Sequence, residues 1–376
     1  MPKKMNRYEM QNYVPEGNAD GGQYTFDGGS SNGGGSRKPK KNDPSPKADV
    51  KTHQDFHEYI ERNHSGYFGK SLTESFDTGN DDAKTVINGL IKKGVIIEES
   101  KKGECYATRD GLVVIGGINN FGEYSVKAKG ETFYHEFWHS ADSGFLNLLT
   151  KEDIDTLTNK YEFYMYYYNH ELSTAKILSN GKTLLDTLNE ECNKISVSKA
   201  GDKWQSIVDD YRDDLNNELT KINTDKTHEI IDNYEEESKK LFPTFDDDGV
   251  YLEDSGMQRR KWLESKKEYI DAKQQLNDAE MRAKNKVLKY WGSMSDIYGL
   301  YNKVSYGFAN MGHPGSYAEV PGSIAREFMA EYGSARSRND DDAKKELALF
   351  KKYFPDTSKC AEEIFNMVLK EARNNG

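Results

Sequence analysis

Two histidines four residues apart, in His135-Glu136-Phe137-Trp138-His139, constrain this chain more than any other stretch. On a helix, residues i and i+4 share a face, so both imidazoles can meet one metal ion. Glu136 then lies beside them, where a carboxylate can take a proton from metal-bound water. This H-E-x-x-H pattern has its meaning only on a helix, and a chain with eight His matches it by chance roughly once in a hundred. Two imidazoles are also only half of a tetrahedral zinc site. A catalytic site takes a third protein ligand and leaves the fourth position open. The fold must therefore carry a distant side chain to this helix.

The best source of that ligand is Ser323-Ile324-Ala325-Arg326-Glu327-Phe328-Met329-Ala330-Glu331-Tyr332. Glu327 and Glu331 are four apart on an expected helix, with Phe328 and Met329 giving it an apolar side. One carboxylate can complete the metal site, Glu327 ahead of Glu331, while the other hydrogen-bonds a ligand imidazole and fixes its tautomer. An ordinary acidic helix face is the alternative. Asp142, three residues after His139, is either such an acceptor or simply the end of its helix. Hydrolysis at such a centre has zinc acidifying its water and polarising a carbonyl, with Glu136 moving the proton. It also needs a donor for the developing oxyanion. Tyr317 and His313, on the Gly/Pro-rich stretch Gly312-His313-Pro314-Gly315-Ser316-Tyr317, are candidates for that role, or for packing.

The net charge of −11 argues against nucleic acid as the main partner. Three widely spaced cysteines (Cys105, Cys192, Cys360) suggest neither a disulfide framework nor a Cys-based zinc cluster. They read as free thiols of a reducing compartment. No apolar run follows the first residues, and none approaches a membrane span. The expectation is a chain made in the bacterial cytoplasm without a signal peptide, virion-associated or delivered to a target cell by a leaderless route.

Residues 1–52 read as a disordered tail and linker through Gly28 to Ser36. Its aromatics Tyr8, Tyr13, Tyr24 and Phe26 are either plain tail or a docking peptide for a phage structural or delivery partner. Residues 53–149 are expected to form the first part of the core. It holds a helix over Asp81 to Lys93, a strand at Val95-Ile96-Ile97, and a hairpin of Cys105–Thr108 with Leu112–Gly116 about Arg109-Asp110-Gly111. The loop Asn119 to Lys129 would feed the metal-site helix, expected from about Glu131 to Ala141. Residues 150–291 read as a helical insertion. It opens with a capping pair at Thr150 and Asp153, passes through the aromatic run Tyr161 to Tyr168, and carries heptad-spaced Trp262, Tyr269, Leu276, Ala283 and Tyr290. Ala272 and Ala279 fall at intermediate positions of that seam, which suits close packing against residues 203–240. Asp246-Asp247-Asp248 reads as a solvated turn rather than a cation site. Residues 292–376 complete the core. The expected class is α+β: a small, mostly antiparallel sheet, an active-site helix, a Glu-bearing helix, and a long α-helical hairpin inserted between them.

Several stretches then resemble a known group in both content and order. Met294-Ser295-Asp296-Ile297-Tyr298-Gly299, Gly312-His313 with Tyr317, and Glu327-Phe328-Met329-Ala330-Glu331 follow the H-E-x-x-H stretch as in phage minor head proteins that carry a C-terminal zinc metallopeptidase domain. The ending Leu349-Phe350-Lys351-Lys352-Tyr353-Phe354-Pro355 resembles that group too. The pattern is also similar to the catalytic domain of anthrax lethal factor, where H-E-F-x-H-x-x-D is followed by a Tyr and E-F-F-A-E. The resemblance covers about residues 100–145 and 290–360. It implies a zincin-type endopeptidase of a protein or peptide substrate, with His135, His139 and Glu327 as Zn2+ ligands, Glu136 as general base and Tyr317 as oxyanion donor. Tyr317 stands ten residues before Glu327, farther than in the lethal factor. The competing class is a virion or interaction protein whose metal site is vestigial.

Overall fold

The structure is a computed structural model, and it describes residues 55–100, 105–108, 110–116, 126–143, 146, 148–153, 155, 171–197, 202–222, 224–245, 251–309, 312–320 and 322–374. The tail, the Asn119–Ser125 part of the expected loop, the aromatic run Tyr161 to Tyr168 and the acidic triplet Asp246 to Asp248 lie outside the described residues. The chain divides into two compact units, one of residues 1–202 with 292–376, the other Lys203–Trp291. The described part is mostly helical with one small three-stranded mixed sheet, an α+β arrangement.

The first unit opens with three helices, α1 (Phe56–Asn63), α2 (Gly66–Asp77) and α3 (Asp81–Lys92). The cap of α3 follows from sequence. Asn80 Oδ1 accepts the Ala83 N–H at 2.9 Å, with Asp81 and Asp82 in the first turn and Lys92 in the last, as the helix dipole favours. Strands β1 (Ile96–Ser100), β2 (Tyr106–Ala107) and β3 (Leu112–Gly116) then form a sheet in the order β1-β3-β2.

The expected hairpin is present, with β2 antiparallel to β3 and the Thr108 N–H donating to the Leu112 carbonyl across its turn. The expectation of a mostly antiparallel sheet is corrected. β1 pairs with β3 in parallel over five residues, while the antiparallel ladder holds two. Central β3 is buried through Val113, Val114 and Ile115 and takes β1 on its free side.

Helix α4 (Val126–Asp142) carries the two histidines and begins before the expected Glu131. It has three working faces. Phe133 and Phe137 join Phe56 and Phe76 in an aromatic cluster, with ring centroids 4.5–6.3 Å apart. Trp138 points elsewhere and stacks at 4.7 Å on Phe365. The third face holds the polar residues described below.

Short helix α5 (Leu172–Ala175) and helix α6 (Leu184–Val197) follow. The Thr150–Asp153 capping pair forms reciprocally, at 2.7 and 3.2 Å. Helix α6 buries Leu184, Leu188 and Cys192, and its Glu191 carboxylate accepts the N–H groups of Asp356 and Thr357 at 3.0 and 2.8 Å. With that anchoring α5 and α6 belong to the first unit, and the second unit runs over Lys203–Trp291.

Helix α7 (Asp202–Thr220), α8 (Asp225–Leu241), α9 (Ser255–Glu264) and α10 (Lys267–Asn302) come next. The second unit is made from these helices up to Trp291. Ala272, Ala279, Ala283 and Tyr290 are buried as the heptad spacing requires. The seam is not one helix, because α9 ends before Ser265 and separates Trp262 from the rest. Within this unit Tyr234 lies against Trp262 and Tyr269, and Lys286 reaches Glu218 at 2.6 Å.

The first unit closes with α11 (Ser323–Ser337), α12 (Asp341–Tyr353) and α13 (Pro355–Asn374). Helix α11 packs on α4, and Gly333 sets how closely. A Cβ there would stand 2.3 Å from the Trp138 ring, so only glycine lets the indole lie against the α11 backbone. Trp138 Nε1 then donates to Ser337 Oγ at 2.8 Å and fixes the helices along their length. This contact delivers a distant carboxylate to the two histidines.

Candidate metal centre

His135 and His139 project from α4 with their Nε2 atoms 3.0 Å apart. Glu327 Oε2, from α11, stands 3.3 Å from one and 3.4 Å from the other. A tetrahedral zinc with bonds of ~2.0–2.1 Å separates its ligand atoms by about 3.3 Å. The triangle therefore has the size that one such ion requires. His135 and Glu327 are buried, and His139 is the most exposed of the three at 12%.

Glu331 is on the other side of His135. Its Oε1 is 3.6 Å from Nδ1, and its Oε2 accepts the Ser293 hydroxyl at 2.8 Å. The two glutamates left open by sequence are thus sorted by position: Glu327 meets the Nε2 atoms, and Glu331 faces the back of one imidazole.

Glu136 is fully buried, and neither of its carboxylate oxygens has a hydrogen-bond partner among the described residues. Leaving a buried carboxyl group unpaired is costly. Burial pushes its pKa up to about 8, against the pull of His135.

Tyr317 and His313 arrive from the other side of the cluster. Tyr317 lies on a 3-10 turn, Gly315–Glu319, and donates to Glu327 Oε1 at 2.7 Å. The His313 ring stacks on it at 4.4 Å, and its Nε2 is 3.9 Å from the same carboxylate oxygen. Asp296, on α10, holds His313 through Nδ1 at 2.9 Å and through the backbone N–H at 2.7 Å. Gly312 makes this possible. Its φ is +115°, and a Cβ would meet Asp296 Oδ1 at 2.2 Å. Opposing its burial, Asp296 and Glu327 raise His313 to about 9, while burial and Glu327 hold the Tyr317 phenol well above its usual range. Both groups carry their protons at neutral pH.

The three candidate ligands are tuned in opposite directions. Burial lowers His139, which favours the neutral form a metal requires. Burial alone would raise Glu327, yet His313, His139 and His135 keep its carboxyl well below the usual range. His135 is raised despite burial, by Glu331 and Glu327.

Asp142 does not serve an imidazole. Its carboxylate accepts the backbone N–H and the hydroxyl of Ser173, at 2.7 and 2.5 Å, tying the end of α4 to α5. Burial and nearby Glu171 raise it to about 7. Sequence reasoning missed Asp296, Ser293, Glu346 and Arg338. Asp296 stands inside a stretch quoted for its resemblance, 17 residues from His313, but no spacing rule links the two.

No protein-family model matches the chain, and no curated protein or solved structure matches it either.

Proposed function

We propose that this chain is a zinc-dependent endopeptidase of the H-E-x-x-H type with a glutamate third ligand, acting on a protein or peptide. The single observation that carries the reading is the unpartnered, buried Glu136 carboxylate beside three donors, His135, His139 and Glu327, whose ligand atoms lie within 4.8 Å of one another. A structural core has no use for that combination, whereas hydrolysis uses each part.

Bound there, zinc would polarise the scissile carbonyl and acidify the attacking water. His135, His139 and Glu327 would hold it. Glu136 accepts the proton of the nucleophile and passes it to the leaving amine, a task suited to a carboxyl whose pKa burial has brought near neutrality. Tyr317 and His313, both protonated, donate hydrogen bonds to the oxygen on which charge develops. Asp296 orients His313 so that its Nδ1 is occupied and Nε2 faces the centre. An extended peptide substrate would be bound as an added strand at an edge of the sheet.

The resemblance to phage minor head proteins makes a phage particle, or a toxin delivered to a target cell, the setting we favour. The alternative is a virion or interaction protein with a vestigial site. Two measurements separate them. The peptidase binds zinc at about one equivalent and loses it in both His135→Ala and Glu327→Ala. N-terminal mapping then finds peptides released from a host lysate by wild type and not by Glu136→Gln. Zinc-free protein, or identical peptide release by both, ends the peptidase reading.

A further inference from the structure

Behind the candidate metal centre lies a second buried group of charges. Glu131 on α4, Glu331 on α11 and Glu346 on α12 bring carboxylate oxygens within 4.8 Å of one another. Glu331 and Glu346 are buried, and so is Ser293, which reaches both. Arg338, just past the end of α11, pairs with Glu346. The chain of contacts runs Arg338, Glu346, Ser293, Glu331, and ends 3.6 Å from His135 Nδ1.

Packing does not explain this arrangement. Apolar side chains of similar volume would stabilise the same space as well or better, since removing carboxylates from water costs several kcal/mol each. The hydrogen bonding also has a direction. Ser293 has one hydroxyl hydrogen and two carboxyl neighbours, so one of its two contacts needs a proton on a carboxyl group. Burial holds Glu346 well above its ordinary range even beside Arg338, which suits it as that donor. Ser293 then donates to Glu331, leaving Oε1 of Glu331 an acceptor toward His135.

We propose that Arg338, Glu346 and Ser293 form a positioning relay that holds Glu331 against His135 and fixes the imidazole with Nδ1–H inward and Nε2 toward the metal. This rests on the zinc reading above. It adds that the grip on zinc is set partly by residues that touch neither the ion nor its ligands. Outer partners of metal-bound histidines typically change affinity by about 10–100-fold.

The test is zinc affinity of the full chain, by competition with a chromophoric chelator, in wild type, Ser293→Ala and Glu346→Met, the latter removing both the donor and the acceptor at similar volume. Melting of each zinc-free protein is measured alongside, together with the His135 Nδ1–H signal in 15N-histidine-labelled, zinc-loaded protein. The relay predicts a fall of about tenfold or more in both variants, with that proton signal shifted or lost and zinc-free melting little changed. It also predicts that the double variant is no worse than the poorer single one. Wild-type affinity in both variants, with wild-type protein binding one zinc, overturns the relay and leaves the zinc centre standing. A loss confined to Ser293→Ala that tracks a lower zinc-free melting temperature marks plain packing and also overturns it. If wild type binds no zinc, both readings fall together.

Discussion

Charged residues are abundant in both units of this molecule, yet they are used in opposite ways. In the Lys203–Trp291 unit most ion-paired charges stay near water, although Glu218 is buried. Arg260 pairs with Glu264 at 81% and 58% side-chain exposure, and Lys273 with Glu235 at 42% and 38%. Such pairs are worth little each. In the first unit, His135, Glu136, Glu327, Glu331 and Glu346 are all buried. There the charges displace one another's pKa values by burial and by proximity. Composition counts the two sets alike, and only position separates them. Charges that a fold has taken out of water at a cost mark a candidate functional site.

The largest effect is expected at Glu136. Glu136→Gln keeps the shape and removes the base, so peptide hydrolysis should fall about 10²–10⁴-fold while zinc stoichiometry stays near one. The check is a progress curve on a cleaved peptide beside a metal assay of the same sample. Unchanged turnover would show the buried carboxylate to be idle. Next comes the α4–α11 contact. At Gly333 a methyl group would overlap the Trp138 ring. Gly333→Ala should cost about 1–3 kcal/mol of unfolding free energy in denaturant, and Gly333→Val more. Zinc affinity should fall with it, because the same contact spaces Glu327 from the histidines.

Much of the fold around these two sites is legible in the amino-acid sequence. The i, i+4 histidines, the Asn80-capped helix, the hairpin about Gly111 and the Glu327 helix are local patterns, and local physics writes them into adjacent letters. Heptad spacing likewise marks Ala272, Ala279 and Ala283 as buried, and they are. What is not legible joins residues far apart in sequence. Asp296 with His313, Ser293 with Glu346, and Gly333 with Trp138 each depend on tertiary packing that no periodicity encodes. Asp142 is ambiguous in sequence, an acceptor for an imidazole or the end of its helix. It ends α4, and Ser173, 31 residues on, takes its carboxylate. The parallel β1–β3 ladder escapes for a similar reason, since a parallel pairing has no turn to announce it.

Asp142 gives a smaller effect with a definite sign. Burial and Glu171 raise it to about 7 in the folded state, while an unfolded Asp titrates near ~3.9. Between those values the folded chain holds a proton that the unfolded chain has released. Its contribution is therefore complete at low pH and is lost as pH rises toward 7, at up to ~1.4 kcal/mol per pH unit. Asp142→Asn should flatten that part of the zinc-free stability profile. Denaturant melts at pH 5 and pH 7 measure it, and equal slopes in variant and wild type would remove Asp142 as the source.

The smallest effect is expected where the ion pairs are most visible. In the helical unit Glu218 takes both Lys221 and Lys286, the latter at 2.6 Å, and the pull of the two lysines holds its carboxyl down to about 2. Lys286 is 54% exposed, however, and salt screens such pairs. Lys286→Met should change stability by less than about 1 kcal/mol, and the change should shrink further in high salt. Ala279→Leu in the same unit should do more harm, about 1–3 kcal/mol, because Ala279 is 2% exposed and a larger side chain there has no room. If the lysine change proved costlier than the alanine change, the charges of this unit would be holding it together as those of the metal centre hold their ligands. The contrast between the two units would then be one of degree and not of kind.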